Sequence, residues 1–223
     1  MKVTKGDQIV GPNVPSVLTG GTGSENIAAG SDADTINAVL EEGGKFASQV
    51  VFPLNITGDA EGCALDKTTH EVTPPKGFKE AYAQYVAGGW NALSSDPEFG
   101  GQGLPVVGMA ACFEEMNYSI FGPVVFNCAA PDDGNMTVLS KVATPAQKEK
   151  WLMPIVEGKV RSSIVMTEPA PGAGSDPTMM LTTATRQGDK WIIKGRKWFI
   201  TGAGVASHFL LLAKTSDDPR KGL

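Results

Sequence analysis

Residues 172–176 read GAGSD, and Gly174 and Ser175 in it suit a tight turn whose backbone and hydroxyl can approach a pyrophosphate. The earlier glycine run GGTG at 20–23 has neither the strand leading in nor the lysine following that a phosphate loop requires. Thr167, Glu168 and Pro169 read on their own as a strand end meeting a turn, with Phe199 and Ile200 further on as residues of β character. Glu114 and Glu115 are adjacent on a predicted helix, so at most one faces inward, and a solvated or ion-paired carboxylate is the expectation for both. Metal chemistry is not expected. Cys63, Cys112 and Cys128 are scattered and odd in number, and with only His70 and His208 a zinc site is hard to build. Such cysteines read as reduced cytosolic thiols.

The balance of 19 basic against 24 acidic residues gives a net charge of -5, which argues against a nucleic-acid surface. The N-terminus lacks the apolar stretch of a signal peptide, and no run approaches the ~20 apolar residues that span a bilayer. A soluble, cytoplasmic protein is expected.

Several elements must position these residues. Residues 1–30, rich in Gly, Thr, Ser and Asn, read as a flexible tail. A helix is predicted from Ser31, with Asp34 completing a capping-box-like pair and Ile36, Val39, Leu40, Phe46 and Val50 forming its apolar stripe up to Pro53. A second helix follows Pro74 and Pro75: Phe78, Ala81, Tyr82, Tyr85 and Val86 make one apolar face, and Gly88 and Gly89 end it. Residues 94–105, SSDPEFGGQGLP, are turn-rich, and a mostly buried helix is expected from about Val106 to Tyr118. Residues 119–135 show no clear period. Thr144, Pro145 and Gln147 mark the start of another helix through a Thr-x-x-Gln capping box, and Gly158 closes it.

After Lys159 the texture changes. Segments 161–167, 179–186, 190–194, 197–201 and 208–213 are short and rich in β-formers, with turn signals such as Gln187-Gly188-Asp189 between them. The expected fold class is α+β: an all-α helical domain over 31–160, then a partial antiparallel β-barrel domain over 161–223. So small an open sheet would leave an unprotected edge, so a further segment downstream is expected.

Three stretches, taken in order, resemble the acyl-CoA dehydrogenase family. GGWNALSSDPEFGGQGLP (88–105) is similar to the family's aromatic-then-GGxG segment. ATPAQKEKWLMPIVEGKVRSSIVMTEP (143–169) is similar to its TPxQK helix running into the TEP strand, and GAGSD with KWFITGA (197–203) to its flavin-binding loop and WIT strand. The resemblance covers about Asp32 to the C-terminus. It implies FAD as cofactor, with Thr167 at the flavin's pyrimidine edge and Met166 beside it. Phe199, where Trp is usual, would pack on the ring; Thr201 would hydrogen-bond N5, and Ile200 would add backbone contacts. Gly174 and Ser175 would meet the pyrophosphate, and Ser175 also the acyl-CoA. Glu168 is structural in the family. This sequence departs from the pattern in TEPAPGAGSD, two residues longer than usual, in Pro177 after Asp176, and in Gly202 where Asn is common.

The implied reaction removes the α-proton of an acyl-CoA with a carboxylate and passes the β-hydrogen as hydride to the flavin. Relatives keep that base on a C-terminal helical bundle, so no catalytic residue is assigned here. An electron-transfer flavoprotein as electron acceptor and a homo-oligomer are also implied. Two other readings stay open: an acyl-CoA oxidase or flavin monooxygenase of the same fold, and a non-catalytic truncated paralogue.

Overall fold

The computed structural model describes residues 33–106, 108–110 and 132–218. Helix α1, Ala33–Phe46, carries Ile36 and Leu40 into the core. The predicted cap at Ser31 lies outside the described residues. Pro53 does not stop the chain's helical course as expected. A wider, π-type segment at Ala47–Val51 leads directly into α2, Pro53–Glu61, where Pro53 holds the first position. Proline is tolerated there, because the first-turn amides have no intrahelical acceptor.

A two-residue hairpin not expected from the sequence follows, β1 (Ala64–Leu65) against β2 (Val72–Thr73). Asp66 accepts from the amides of Thr68 and Thr69 at 2.7 and 3.1 Å and so shapes its turn. Helix α3, Phe78–Ala87, buries Phe78, Ala81 and Tyr85, members of the predicted stripe, and Gly89 leaves it in the left-handed region at φ 72°. Trp90 then stacks on Phe46, ring centres 6.1 Å apart. Trp90, Phe46, Ala81 and Tyr85 form a first core with Ile36, Leu40, Leu93 and Leu104. Residues 106 and 108–110 are helical; the rest of the helix expected there, with Glu114 and Glu115, lies outside the described residues.

Helix α4, Gly134–Val142, and helix α5, running from Pro145 to Val156, build a second core from Met136, Leu152, Ile155 and Val156 with Ala92. Helix α5 opens with Pro145–Gln147, passes through a π-type turn at Lys148–Leu152 and closes with Met153–Val156. Its start is the capping box read from the sequence: Thr144 Oγ1 accepts from the Gln147 amide, and Gln147 Oε1 accepts from the Thr144 amide at 2.9 Å. Asn91 joins the two cores by donating to the carbonyls of Ile155 and Val156 at 3.3 and 2.7 Å. Those carbonyls lie in the last turn, where regular i→i+4 donors run out, and Ile155 also accepts from the Gly158 amide at 2.9 Å. Gly158 ends α5 at φ 67°, packed so closely on Val86 that a Cβ would collide with that side chain.

The β region departs from expectation in two ways. β3 (Arg161–Val165) pairs with β6 (Ala206–Leu211) in parallel, not antiparallel. Parallel neighbours need a long crossover, and residues 166–205 supply it, carrying on the way the antiparallel hairpin of β4 (Thr183–Gln187) and β5 (Lys190–Lys194). Lys214 then runs beside Thr183 in a parallel bridge. The described strands form three two-stranded ladders. Moreover, 197–201 is not a strand: Phe199 turns left-handed at φ 52°, and the Trp198 amide donates to the Thr167 carbonyl at 3.1 Å. No helix among the described residues is long and apolar enough to cross a membrane.

Candidate functional site

The end of β3 delivers Met166, Thr167 and Glu168, and Glu168 organises what surrounds it. Its side chain is 2% exposed and its carboxylate accepts from the amides of Leu181 at 2.6 Å, Thr182 at 2.9 Å and Ala173 at 3.4 Å. Lys197, itself 9% exposed, completes the cluster with Nζ 3.0 Å from Glu168 Oε1, and donates to the Met166 carbonyl at 2.8 Å. Burial pushes the Glu168 carboxyl up, but hydrogen bonds from Thr182, Leu181 and Lys197 outweigh that and hold it at about 2. An ionised, fully engaged carboxylate at neutral pH is an anchor and not a proton acceptor.

This cluster also explains why the strand expected from 179 begins only at Thr183. Pro177–Met179 forms a short turn capped by Asp176, and the amides of Leu181 and Thr182 are drawn to the carboxylate instead of a ladder. The GAGSD loop is held by the same anchor, with the Glu168 amide donating to the Ala173 carbonyl at 2.7 Å. Gly172 is the glycine that crowding demands, since a Cβ there would lie 2.5 Å from Glu168 Oε2. At Gly174 a Cβ would meet nothing within 4 Å. The Ala170–Pro171 peptide in the lengthened loop is cis.

Three segments separated in sequence are therefore brought together: 166–168, 172–176 and 197–201. Met166 and Thr167 are half-buried and joined to the third segment through their carbonyls. Thr201 is tied back to β3, its carbonyl accepting from Ser163 Oγ at 2.5 Å. Ile200 is half-buried, Gly174 and Ser175 are exposed, and Phe199 is 81% exposed beside Trp198, ring centres 4.7 Å apart. The hydroxyls of Thr167, Ser175 and Thr201 take no hydrogen-bond partner among the described residues. Unengaged hydroxyls and an open aromatic face carried on these segments suit a flat, heteroatom-edged ligand such as an isoalloxazine.

Lys197, Ser163 and Gly172 stand inside the family motifs, which by themselves mark no individual role for any of the three. A lysine directly before two aromatic residues was the available signal for the first; Ser163 depends on Thr201, 38 residues away, and Gly172 on the local fold that turns the loop back on Glu168.

A second buried polar cluster sits where α4 meets β3. Asp132 accepts from Arg161 Nε at 2.6 Å and from both the amide and hydroxyl of Ser162 at 2.8 Å, while Asn135 donates to Ser162 Oγ at 2.9 Å. Next to it, Asp133 lines a cleft of about 200 Å³ with Ser94, Ser95, Met109 and Met136. Burial, and then the charge of Asp132, push the Asp133 carboxyl up to about 6. Among the described residues no group of three or more His, Cys, Asp or Glu could hold a metal ion.

Residues 61–159 match the family model described as acyl-CoA dehydrogenase, N-terminal domain, and residues 163–223 match acyl-CoA dehydrogenase, middle domain. The 3-methylmercaptopropionyl-CoA dehydrogenase of Ruegeria pomeroyi is 37% identical over 195 residues, which is 84% of this chain and 32% of that protein. A putative acyl-CoA dehydrogenase from Mycobacterium abscessus is a structural neighbour with TM-score 0.67 and 33% identity, covering 86% of this chain and 48% of its own. The FAD complex of PigA superposes with TM-score 0.67 over 85% of this chain and 46% of its own; at 24% identity that likeness shows the fold alone. The chain thus spans about a third of that curated relative and about half of each of these solved structures.

Proposed function

Because this chain belongs to the acyl-CoA dehydrogenase family, we propose that it forms the front part of an FAD-dependent enzyme that desaturates an acyl-CoA between its α and β carbons. The observation that carries the reading is the convergence of the three segments on the Glu168–Lys197 pair, segments that also carry three unengaged hydroxyls and the exposed Trp198 and Phe199 rings. FAD as cofactor is supported by this fit and by the family to which the chain belongs.

In this proposal Thr167 offers its hydroxyl and amide to the flavin's pyrimidine edge, with Met166 alongside. Phe199 covers the ring and keeps water off it, Ile200 adds backbone contacts, and Thr201 directs a hydrogen bond to N5. Gly174 leaves room for a pyrophosphate to approach the loop backbone, and Ser175 serves both the pyrophosphate and the acyl-CoA. The flavin, when bound, supplies the hydride acceptor. The α-proton needs a carboxylate of raised affinity in a dry site. Glu168 does not serve in this reading, being ion-paired and held low, and the base is assigned, by the family resemblance alone, to a C-terminal helical bundle. The reading divides the chain into a tail at 1–30, a helical domain at 31–160 and a β domain at 161–223. It carries with it an electron-transfer flavoprotein as electron acceptor, a homo-oligomer and a cytoplasmic setting.

The test is the visible spectrum of the full-length protein carrying this segment, before and after adding acyl-CoA without air. Bound flavin that bleaches with an acyl-CoA supports the proposal. Protein that takes up no FAD after reconstitution refutes it.

A further inference from the structure

We propose that Lys197 is a positioning residue that sets the two walls of the flavin site against each other; the inference rests on the flavin reading above. The ammonium group has two partners, the Met166 carbonyl at 2.8 Å and Glu168 Oε1 at 3.0 Å, and both belong to the segment that ends β3. The lysine's own backbone leads into Trp198, Phe199, Ile200 and Thr201. One side chain therefore ties the 166–168 wall to the 198–201 wall, within two residues of the proposed ligand contacts on both sides. The Trp198 amide on the Thr167 carbonyl is a second tie in the same place.

Stability alone does not account for this lysine. Burying an ammonium and a carboxylate costs desolvation that their attraction offsets only with good geometry, and an apolar pair of similar volume is often as stable. A charged pair does fix direction, because each donor must meet its own acceptor. Here the carboxylate is already oriented by the Leu181 and Thr182 amides, so the position of Nζ is set by three strands of chain at once. Phe199 makes the need for such a tie concrete. It adopts φ 52°, a region aromatic residues avoid, so the segment that presents it must be held by its neighbours.

The experiment compares Lys197→Met, Lys197→Arg and Asp132→Asn in the full-length protein. Asp132→Asn is the control: it weakens a second, somewhat less buried ion pair, with Arg161, that touches neither wall. Readouts are the FAD dissociation constant, the flavin absorption spectrum at saturating FAD and the melting temperature. Lys197→Met is expected to weaken FAD binding about tenfold, the loss of a charged hydrogen bond, and to shift the spectrum of the saturated protein. Lys197→Arg recovers part of the affinity but still shifts the spectrum, since its planar fork meets the acceptors along other lines. Asp132→Asn lowers the melting temperature and leaves affinity and spectrum in place. If Lys197→Met behaves like Asp132→Asn, the proposal is overturned. Should Lys197→Met not fold, an unchanged affinity and spectrum in Lys197→Arg overturns it equally. A wild-type protein that binds no FAD removes the flavin reading itself, whereas wild-type binding with unaltered variants removes only the role of Lys197.

Discussion

Replacing Glu168 by Gln removes the charge on which three loops converge while keeping the side chain's size. The carboxyl titrates at about 2 in the folded protein against 4.5 for the free group. Its folded value is depressed, so the stability it contributes is fully present above about pH 5 and is lost as pH falls through 4.5 towards 2. At ~1.4 kcal/mol for each pH unit, the difference is worth about 3 kcal/mol at neutral pH and about 1.5 kcal/mol at pH 3. The variant also strands a buried ammonium at Lys197, and breaking a buried pair from one side costs about 3–5 kcal/mol. Glu168→Gln should therefore be less stable by several kcal/mol at pH 7, with the gap from wild type closing by about 2 kcal/mol between pH 6 and pH 3. Urea unfolding of both proteins across that range measures it. Other carboxylates titrate in the same window, but they are common to both proteins and cancel in the difference. A gap that stays constant from pH 6 to pH 3 would show that Glu168 is not the low-titrating anchor described here.

Three further outcomes are expected. Gly172→Ala places a Cβ 2.5 Å from Glu168 Oε2 and should cost about 1–3 kcal/mol in denaturant unfolding, where Gly174→Ala, open on all sides, should cost less. Asp133→Asn should stabilise the protein by about 2 kcal/mol above pH 6, because burial raises this carboxyl to about 6 and ionising it opposes folding; the gain should vanish below about pH 4 in unfolding curves taken against pH. Ser163→Ala removes the 2.5 Å hydrogen bond to the Thr201 carbonyl and should lower stability by about 1 kcal/mol and loosen FAD binding, read by calorimetry and by fluorescence titration.

The features legible in the sequence are those whose partners lie within a few residues. The Thr144–Gln147 capping box, the left-handed exits at Gly89 and Gly158, the buried face of α3 and the turn at Gln187-Gly188-Asp189 between β4 and β5 each close over at most a few turns of chain. The order of the three motifs also identified the family, because a pattern of residue types survives without knowledge of contacts. Contacts across long sequence separations were a matter for the fold. Arg161 and Ser162 find Asp132 about 30 residues away, Lys197 finds Glu168 and Met166 about as far, and β3 finds β6 in a parallel register that no hairpin signal announces. Composition marked 197–201 as strand, since Trp, Phe, Ile and Thr all favour one. Tertiary structure overrode that propensity: the buried ammonium and the Trp198 amide bind back to the end of β3, and Phe199 turns left-handed as a result. Local preferences of tenths of a kcal/mol per residue yield to a buried ion pair that must be satisfied, and where it is satisfied depends on the whole chain having folded.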